Sequence, residues 1–194
     1  MKKILLLLTM LSCTLLANAI KVRATGDLTF LKSVKQMEVQ FTYDNMIVGS
    51  MTEDAYVNKK VGEYNAKEAG RGDNWHKVWE SDKQNVYPIS FLELLEKTCN
   101  IKECKNGECE FLMIVNTTFF EPGFNVGIMR RDAEISVTCK IVKKSDPSQV
   151  VAEITVLHSP GRTAMGYDYS VASRVTEAYA KAGKEVGRKI NKAK

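Results

Sequence analysis

Histidine is scarce in this chain, with only His76 and His158 among 194 residues. Neither lies in an H-E-x-x-H run, beside a G-x-S-x-G elbow, or in another signature that pairs a base with a nucleophile or a metal. Acid–base chemistry of the common kind has little to work with, so the expectation is a non-enzymatic protein with no cofactor and no metal. Long apolar runs are missing after residue 19, which leaves nothing to cross a membrane as a helix. An excess of one charge is also missing. The formal net charge is +5, and it falls to about +3 once Lys2 and Lys3 are removed with residues 1–19. So mild a balance gives no footprint for nucleic acid. Repeats and low-complexity segments are absent.

Residues 1–19 read as a leader. Lys2 and Lys3 precede the apolar stretch Ile4 to Leu16, and Ala17-Asn18-Ala19 is an A-x-A cleavage site. That is a bacterial-style secretory signal peptide, with the mature chain starting at Ile20. A lipid anchor at Cys13 is the rival. Met10-Leu11-Ser12 lacks the small residues that lipoprotein processing favours, so cleavage is expected and lipidation is not. Residues 20–194 are short enough to be one domain and long enough to bury a core unaided.

Three strands organise this domain. Phe111 to Phe120 is nearly unbroken apolar and β-prone, as in a strand covered on both faces. Turn residues from Glu121 to Gly127 end it. Ala133, Ile135, Val137, Cys139 and Ile141 then alternate with Glu134, Ser136, Thr138 and Lys140. Asp146-Pro147-Ser148 supplies the next turn, and Val150 to Leu157 returns as a third strand. Earlier, Met37, Val39, Phe41 and Tyr43 alternate with polar residues in a half-buried strand, whereas Ile20 to Lys32 has no clear pattern.

The helices lie between and after these strands. Ser50 with Glu53 fits a capping box, and Thr52 is the rival cap. The helix it opens carries Val57, Val61 and Tyr64 and is expected to end near Gly70. A short helical piece holds Trp75 and Trp79, and Ser81 to Tyr87 is polar. Pro88 suits the first turn of a further helix, with Phe91, Leu92, Leu94 and Leu95 on its buried side. Asp168 or Ser170 can cap the last helix, whose stripe is Val171, Val175, Tyr179, Ala182, Val186 and Ile190. Gly183 and Gly187 within it point to a close approach by a sheet or neighbour. The expected class is α+β in the order β-α-α-β-β-β-α. It would form a mixed, mainly antiparallel sheet of about four strands, with helices packed on one face.

Several motifs have ordinary explanations. Gly161 to Gly166 has phosphate-loop glycine spacing, but Tyr167-Asp168 stands where Lys-Ser/Thr is needed. Arg71-Gly72-Asp73 is turn chemistry beside a helix end. Asn116-Thr117-Thr118 fits a glycosylation sequon inside a strand. Two features could bind. Trp75 and Trp79 share a helix face and would make a stacking platform if exposed, although large aromatics are usually buried. The loop around Phe124 and Asn125, followed by Arg130, Arg131 and Asp132, has the aromatic-plus-charge character of partner surfaces. Alternatively, Phe124 folds back onto the core.

Cys99, Cys104, Cys109 and Cys139 remain after leader removal. C-x4-C-x4-C is no usual zinc spacing, and export favours disulfides. Asn106-Gly107 is a hairpin turn signal that places Cys104 opposite Cys109, which makes that the favoured pair. A hairpin turning about Phe124 would instead place Cys109 opposite Cys139.

The run from Asn116 through Glu121-Pro122-Gly123-Phe124-Asn125-Val126-Gly127, with Arg130 and Ala133 after it, resembles a family of uncharacterised secreted proteins of Bacteroidetes. The helix opening at Thr52-Glu53, the Gly70-to-Trp79 segment and Arg174 to Gly187 are similar to the same family, and the EPG-x-NVG run is the most specific part. The Cys99-to-Cys109 segment departs from it. The resemblance implies a periplasmic or exported domain without assigned chemistry. More distantly, the order of elements is similar to small envelope-assembly domains, such as the amino-terminal domain of TolB, the auxiliary lipoproteins of lipid transporters and the curli secretion lipoprotein. The functional expectation is an exported domain that binds a protein partner, with cell-envelope assembly as the setting the resemblance implies. A glycan- or small-ligand-binding module using Trp75 and Trp79 is the alternative, and an enzyme of unknown class is the third reading.

Overall fold

The computed structural model describes residues 19–105, 107–126, 129–161 and 170–193. The leader with Cys13, residues Asn106 and Gly127, and the loop holding Gly166, Tyr167 and Asp168 lie outside the described residues.

The chain is α+β. Its strands are β1 (Lys21–Gly26), β2 (Gln36–Thr42), β3 (Ile47–Val48), β4 (Met51–Thr52), β5 (Lys102–Glu103), β6 (Phe111–Glu121), β7 (Phe124–Val126), β8 (Met129–Arg131), β9 (Ala133–Lys143) and β10 (Asp146–Gly161). Its helices are α1 (Glu53–Asn65), α2 (Arg71–Asn85), α3 (Tyr87–Cys99) and α4 (Val171–Ala193). The main sheet has 8 strands, in the order β1-β10-β9-β6-β2-β5, and β3 pairs with both β6 and β4. Strands β6, β9 and β10 form the antiparallel meander, closed on its outer side by antiparallel β1. Strands β2 and β3 both run parallel to β6, one after the other along its length. Strand β5 runs parallel to the start of β2.

The expected four strands were too few. Strands β3, β4 and β5 have 2 residues each, too few to show a period. Strand β1 is mostly exposed, so its sequence carries no buried face. The third meander strand starts at Asp146 and runs to Gly161, so Asp146-Pro147-Ser148 opens a strand instead of turning. The unbroken apolar run of β6 also misled. One side of it, with Phe111, Met113 and Val115, is buried, and the side with Leu112 and Ile114 is only half-buried. Helices therefore cover one face, and the alternation read in β9 holds: Ala133, Ile135, Val137, Cys139 and Ile141 are fully buried.

Helix α1 is capped by Thr52, whose Oγ1 accepts from the Ala55 N–H at 3.3 Å, so the Ser50 capping box does not form. It ends at Asn65, and Gly70, at φ 80°, instead leads into α2. Helix α2 continues through the polar stretch to Asn85, because Ser81 to Gln84 face outward or pair with neighbours. Ser170 caps α4 through its Oγ and the Ser173 N–H. The glycines of α4 serve a neighbouring helix. A Cβ on Gly183 would lie 2.1 Å from the Phe91 carbonyl oxygen, and one on Gly187 would lie 2.7 Å from Thr98 Cβ. Helices α3 and α4 thus touch backbone to backbone, side by side on the covered face of the sheet. Tyr87 of α3 and Tyr179 of α4 stack at 5.0 Å, and the Tyr179 hydroxyl meets Thr117 Oγ1 of β6 at 2.6 Å.

Candidate functional site

Helices α1 and α2 lie beside one end of the sheet and present a layer of aromatic rings. Tyr64 and Trp75 are 5.8 Å apart, Trp75 and Trp79 5.5 Å, and Tyr56 and Trp79 5.5 Å between ring centres. Trp79 passes inward to Phe120 of β6 at 5.0 Å. The layer forms because Tyr56 and Tyr64 recur two turns apart on α1, while Trp75 and Trp79 recur one turn apart on α2.

Its inner end is held by charge. Glu53 Oε1 accepts from Trp79 Nε1 at 2.7 Å and from Lys83 Nζ at 2.6 Å. Lys83 also pairs with Glu80 and lies over the Tyr43 ring, and the Tyr43 hydroxyl donates to the Lys83 carbonyl. A buried lysine is tolerated because two carboxylates and a ring face replace its water. Burial, with Tyr64 and Glu121 nearby, pushes the Tyr56 hydroxyl up to about 12, so it stays a neutral donor.

Opposite this layer stands the hairpin β7–β8, which pairs Phe124 with Arg131, Asn125 with Arg130 and Val126 with Met129. Gly123 starts it at φ 64°, and a Cβ there would strike the Arg131 carbonyl at 2.5 Å. Buried Arg174 of α4 ties down its base, donating to the Pro122 and Gly123 carbonyls at 3.2–3.3 Å. Phe124, Val126 and Met129 are exposed at 43, 64 and 61%. Phe124 therefore does not fold back onto the core. Arg131 pairs with Glu121 at 3.1 Å and Arg130 with Asp132 at 3.1 Å.

Between the aromatic layer, the hairpin and the start of α4 runs a groove of about 480 Å³. Trp75, Trp79, Phe124 and Asn125 all line it. The two candidate surfaces read separately from the sequence are therefore the walls of one groove. They do not contribute equally. Trp79 is buried, with its N–H taken by Glu53, whereas Trp75 is half-buried. A flat platform of two tryptophans is not formed. Arg130 and Arg131 lie on the hairpin's outer strand and are not among the residues lining the groove. Tyr56, Lys60, Tyr64 and Arg174, which do line it, were not singled out. The spacing of Tyr56 and Tyr64 was a usable signal for two of them.

The remaining candidates lie elsewhere. His76 is on the outer face of α2, 3.7 Å from Glu80. His158 sits at an irregularity within β10, at φ 60°, with Nδ1 2.7 Å from Glu134 Oε1. None of Cys99, Cys104, Cys109 and Cys139 is in a disulfide. The expected Cys104–Cys109 bridge is not formed, although the two thiols are hydrogen-bonding neighbours. Cys139 is fully buried in β9, opposite Val115 and Ile154. Strand register pairs Phe111 with Lys143, far along β9 from Cys139, so Cys109 cannot lie opposite it. No group of three or more His, Cys, Asp or Glu able to hold a metal occurs among the described residues. No described helix is long and apolar enough to cross a membrane.

No family model matches the chain, and no curated protein matches it. Solved structures do. The PelC dodecamer from Paraburkholderia phytofirmans is similar at 14% identity over 86% of this chain and 96% of that one, with a TM-score of 0.43. A second PelC dodecamer structure from that organism, of a point variant, covers 86% and 95% at the same identity with a TM-score of 0.41. A DUF330 protein from Xanthomonas campestris covers 56% and 61% at 14% identity, with a TM-score of 0.36. These are likenesses of fold. Neither the Bacteroidetes family nor TolB is among them.

Proposed function

We propose that the chain is an exported, non-catalytic domain that binds a protein partner in the groove between the α1–α2 aromatic layer and the β7–β8 hairpin, in the setting of the cell envelope. The observation that carries this reading is the hairpin itself. Phe124, Val126 and Met129 stand exposed together on a support anchored by buried Arg174, and Phe124 and Val126 rim a groove floored by aromatic rings. Exposed apolar residues grouped in this way mark interaction sites, and aromatic anchors carry most of the binding energy where partners meet. The leader and its Ala17-Asn18-Ala19 site support the export part of this reading.

The test is site-specific photocrosslinking in the native host. A benzophenone side chain at Val126 is expected to give a discrete protein adduct that disappears with Phe124→Ala. The same probe at Gln40, on the far face of the sheet, should give none. Equal adducts from both sites, or an adduct indifferent to Phe124, would refute the reading. Mass spectrometry of the same material should show a chain beginning at Ile20.

A second reading rests on Trp75, whose half-buried ring lines the groove beside Asn125. A sugar ring stacked on it would make the protein a glycan-binding module. Glycan binding lost with Trp75→Ala but kept with Phe124→Ala would favour this reading over the first.

A further inference from the structure

On the other side of α2, the sheet has a gap in its outer lane. Strand β5 pairs with β2 only at Gln36 and Met37. Farther along, the β3–β4 hairpin continues the row beside β6. Between them β2 is an edge. The Lys35 and Met37 carbonyls accept from the Lys102 and Cys104 N–H groups on the β5 side. Strand alternation directs the N–H and C=O of Val39 and Phe41 the same way. Neither residue has a backbone partner on that side among the described residues. Two residues two apart in a strand thus offer two donors and two acceptors about 7 Å apart.

An open groove of about 460 Å³ runs along this edge. Val39, Phe41, Pro88 and Leu92 form its apolar part, and Glu80 and Glu103 its acidic part. Lys83, the cation there, is already shared between Glu53 and Glu80. Among the described residues, the ion-pair partner of Glu103 is highly exposed Lys105, at 4.0 Å. The wall is therefore left with surplus negative charge.

We infer that this gap accepts an extended segment of a partner protein as an added strand, with aliphatic side chains against Phe41 and Leu92 and a basic side chain toward Glu103. Free backbone groups in strand spacing specify an extended occupant, as in other cases of strand addition. The acidic rim selects for positive charge. The site shares no residue with the hairpin groove and stands or falls separately from it.

The test is a random heptapeptide phage selection on the purified protein, followed by titration of the recovered synthetic peptides into 15N-labelled protein. Peptides alternating aliphatic and basic residues are expected. They should shift the Val39 and Phe41 amide resonances and slow the hydrogen exchange of those amides. N-methylation of alternate peptide amides should weaken binding about tenfold, since each blocked amide leaves a β2 carbonyl unpaired. Glu103→Lys should weaken it about threefold or more, as befits a partly exposed ion pair. No enrichment over a control protein, or peptides that leave both amides unmoved, would overturn the proposal. So would N-methylated peptides binding equally well. Concentration-dependent protection of these amides without peptide would place a second copy of the chain in the gap, and would overturn it too.

Discussion

Gly183 and Gly62 are both helical glycines, and the same substitution should change stability in opposite directions at the two. Helix propensity alone says that Gly→Ala gains up to about 1 kcal/mol at each. At Gly62 of α1, nothing lies within 4 Å of the added Cβ, so that gain should be kept, at about 0.5–1 kcal/mol. At Gly183 of α4, the Cβ would lie 2.1 Å from the Phe91 oxygen and 2.9 Å from its carbonyl carbon. Both are backbone atoms of α3, which cannot swing aside as a side-chain tip would. Separating the helices by more than an ångström would loosen the Tyr87–Tyr179 stack and the Leu95 contacts. Overpacking of this kind costs about 1–3 kcal/mol, which outweighs the propensity gain and leaves a net loss of about 1–2 kcal/mol. With about 2–4 °C per kcal/mol for a chain of this size, Gly62→Ala should raise the thermal midpoint by about 1–4 °C. Gly183→Ala should lower it by about 2–8 °C. Scanning calorimetry and urea titration read both. If Gly183→Ala rises like Gly62→Ala, the backbone contact between α3 and α4 does not exist and the packing described above is wrong.

Three further outcomes follow from the same structure. Burial first, then neighbouring tyrosines and Glu53, holds the Tyr43 hydroxyl far above its usual range; burial likewise raises Tyr87 and Tyr179, and puts Tyr56 at about 12. Because these folded-state values exceed the unfolded one, their contribution is complete below about pH 10 and is lost as pH rises. Circular dichroism should therefore show unfolding between about pH 10 and 12 together with tyrosinate absorbance at 295 nm, and tyrosinate forming without unfolding would contradict it. Ile135→Asp, at a fully buried position, should lower stability by several kcal/mol, whereas Thr138→Asp on the uncovered face should cost clearly less; equal losses in urea midpoint would mean the two faces are misassigned. Burial pushes the Cys139 thiol well up, so iodoacetamide should leave it unmodified in native protein while partly exposed Cys109 reacts. In a separate sample that has not been alkylated, mild oxidation should join the neighbouring Cys104 and Cys109 thiols, with two protons and two electrons passing to the oxidant, and peptide mapping that finds any other pair would refute this placement.

What the sequence by itself determined is the part of the fold governed by local periodicity. The alternation in β9, the stripe of α4 and the proline at the start of α3 each reflect a choice made by neighbouring residues alone. The α+β class and the buried register of Ile135 to Ile141 were legible for that reason. The same local reading located Phe124 and Trp75 as candidate binding residues. Only the tertiary structure decided that they face each other across one groove, that Trp79 is occupied by Glu53 while Trp75 is not, and that Arg174 supports the hairpin from 51 residues downstream of Gly123. It alone decided that short strands β5 and β4 leave the outer edge of β2 uncovered between them. These outcomes depend on which segments distant in sequence come to lie side by side. That is settled by burial and backbone pairing summed over the whole chain, and no window of consecutive residues contains it.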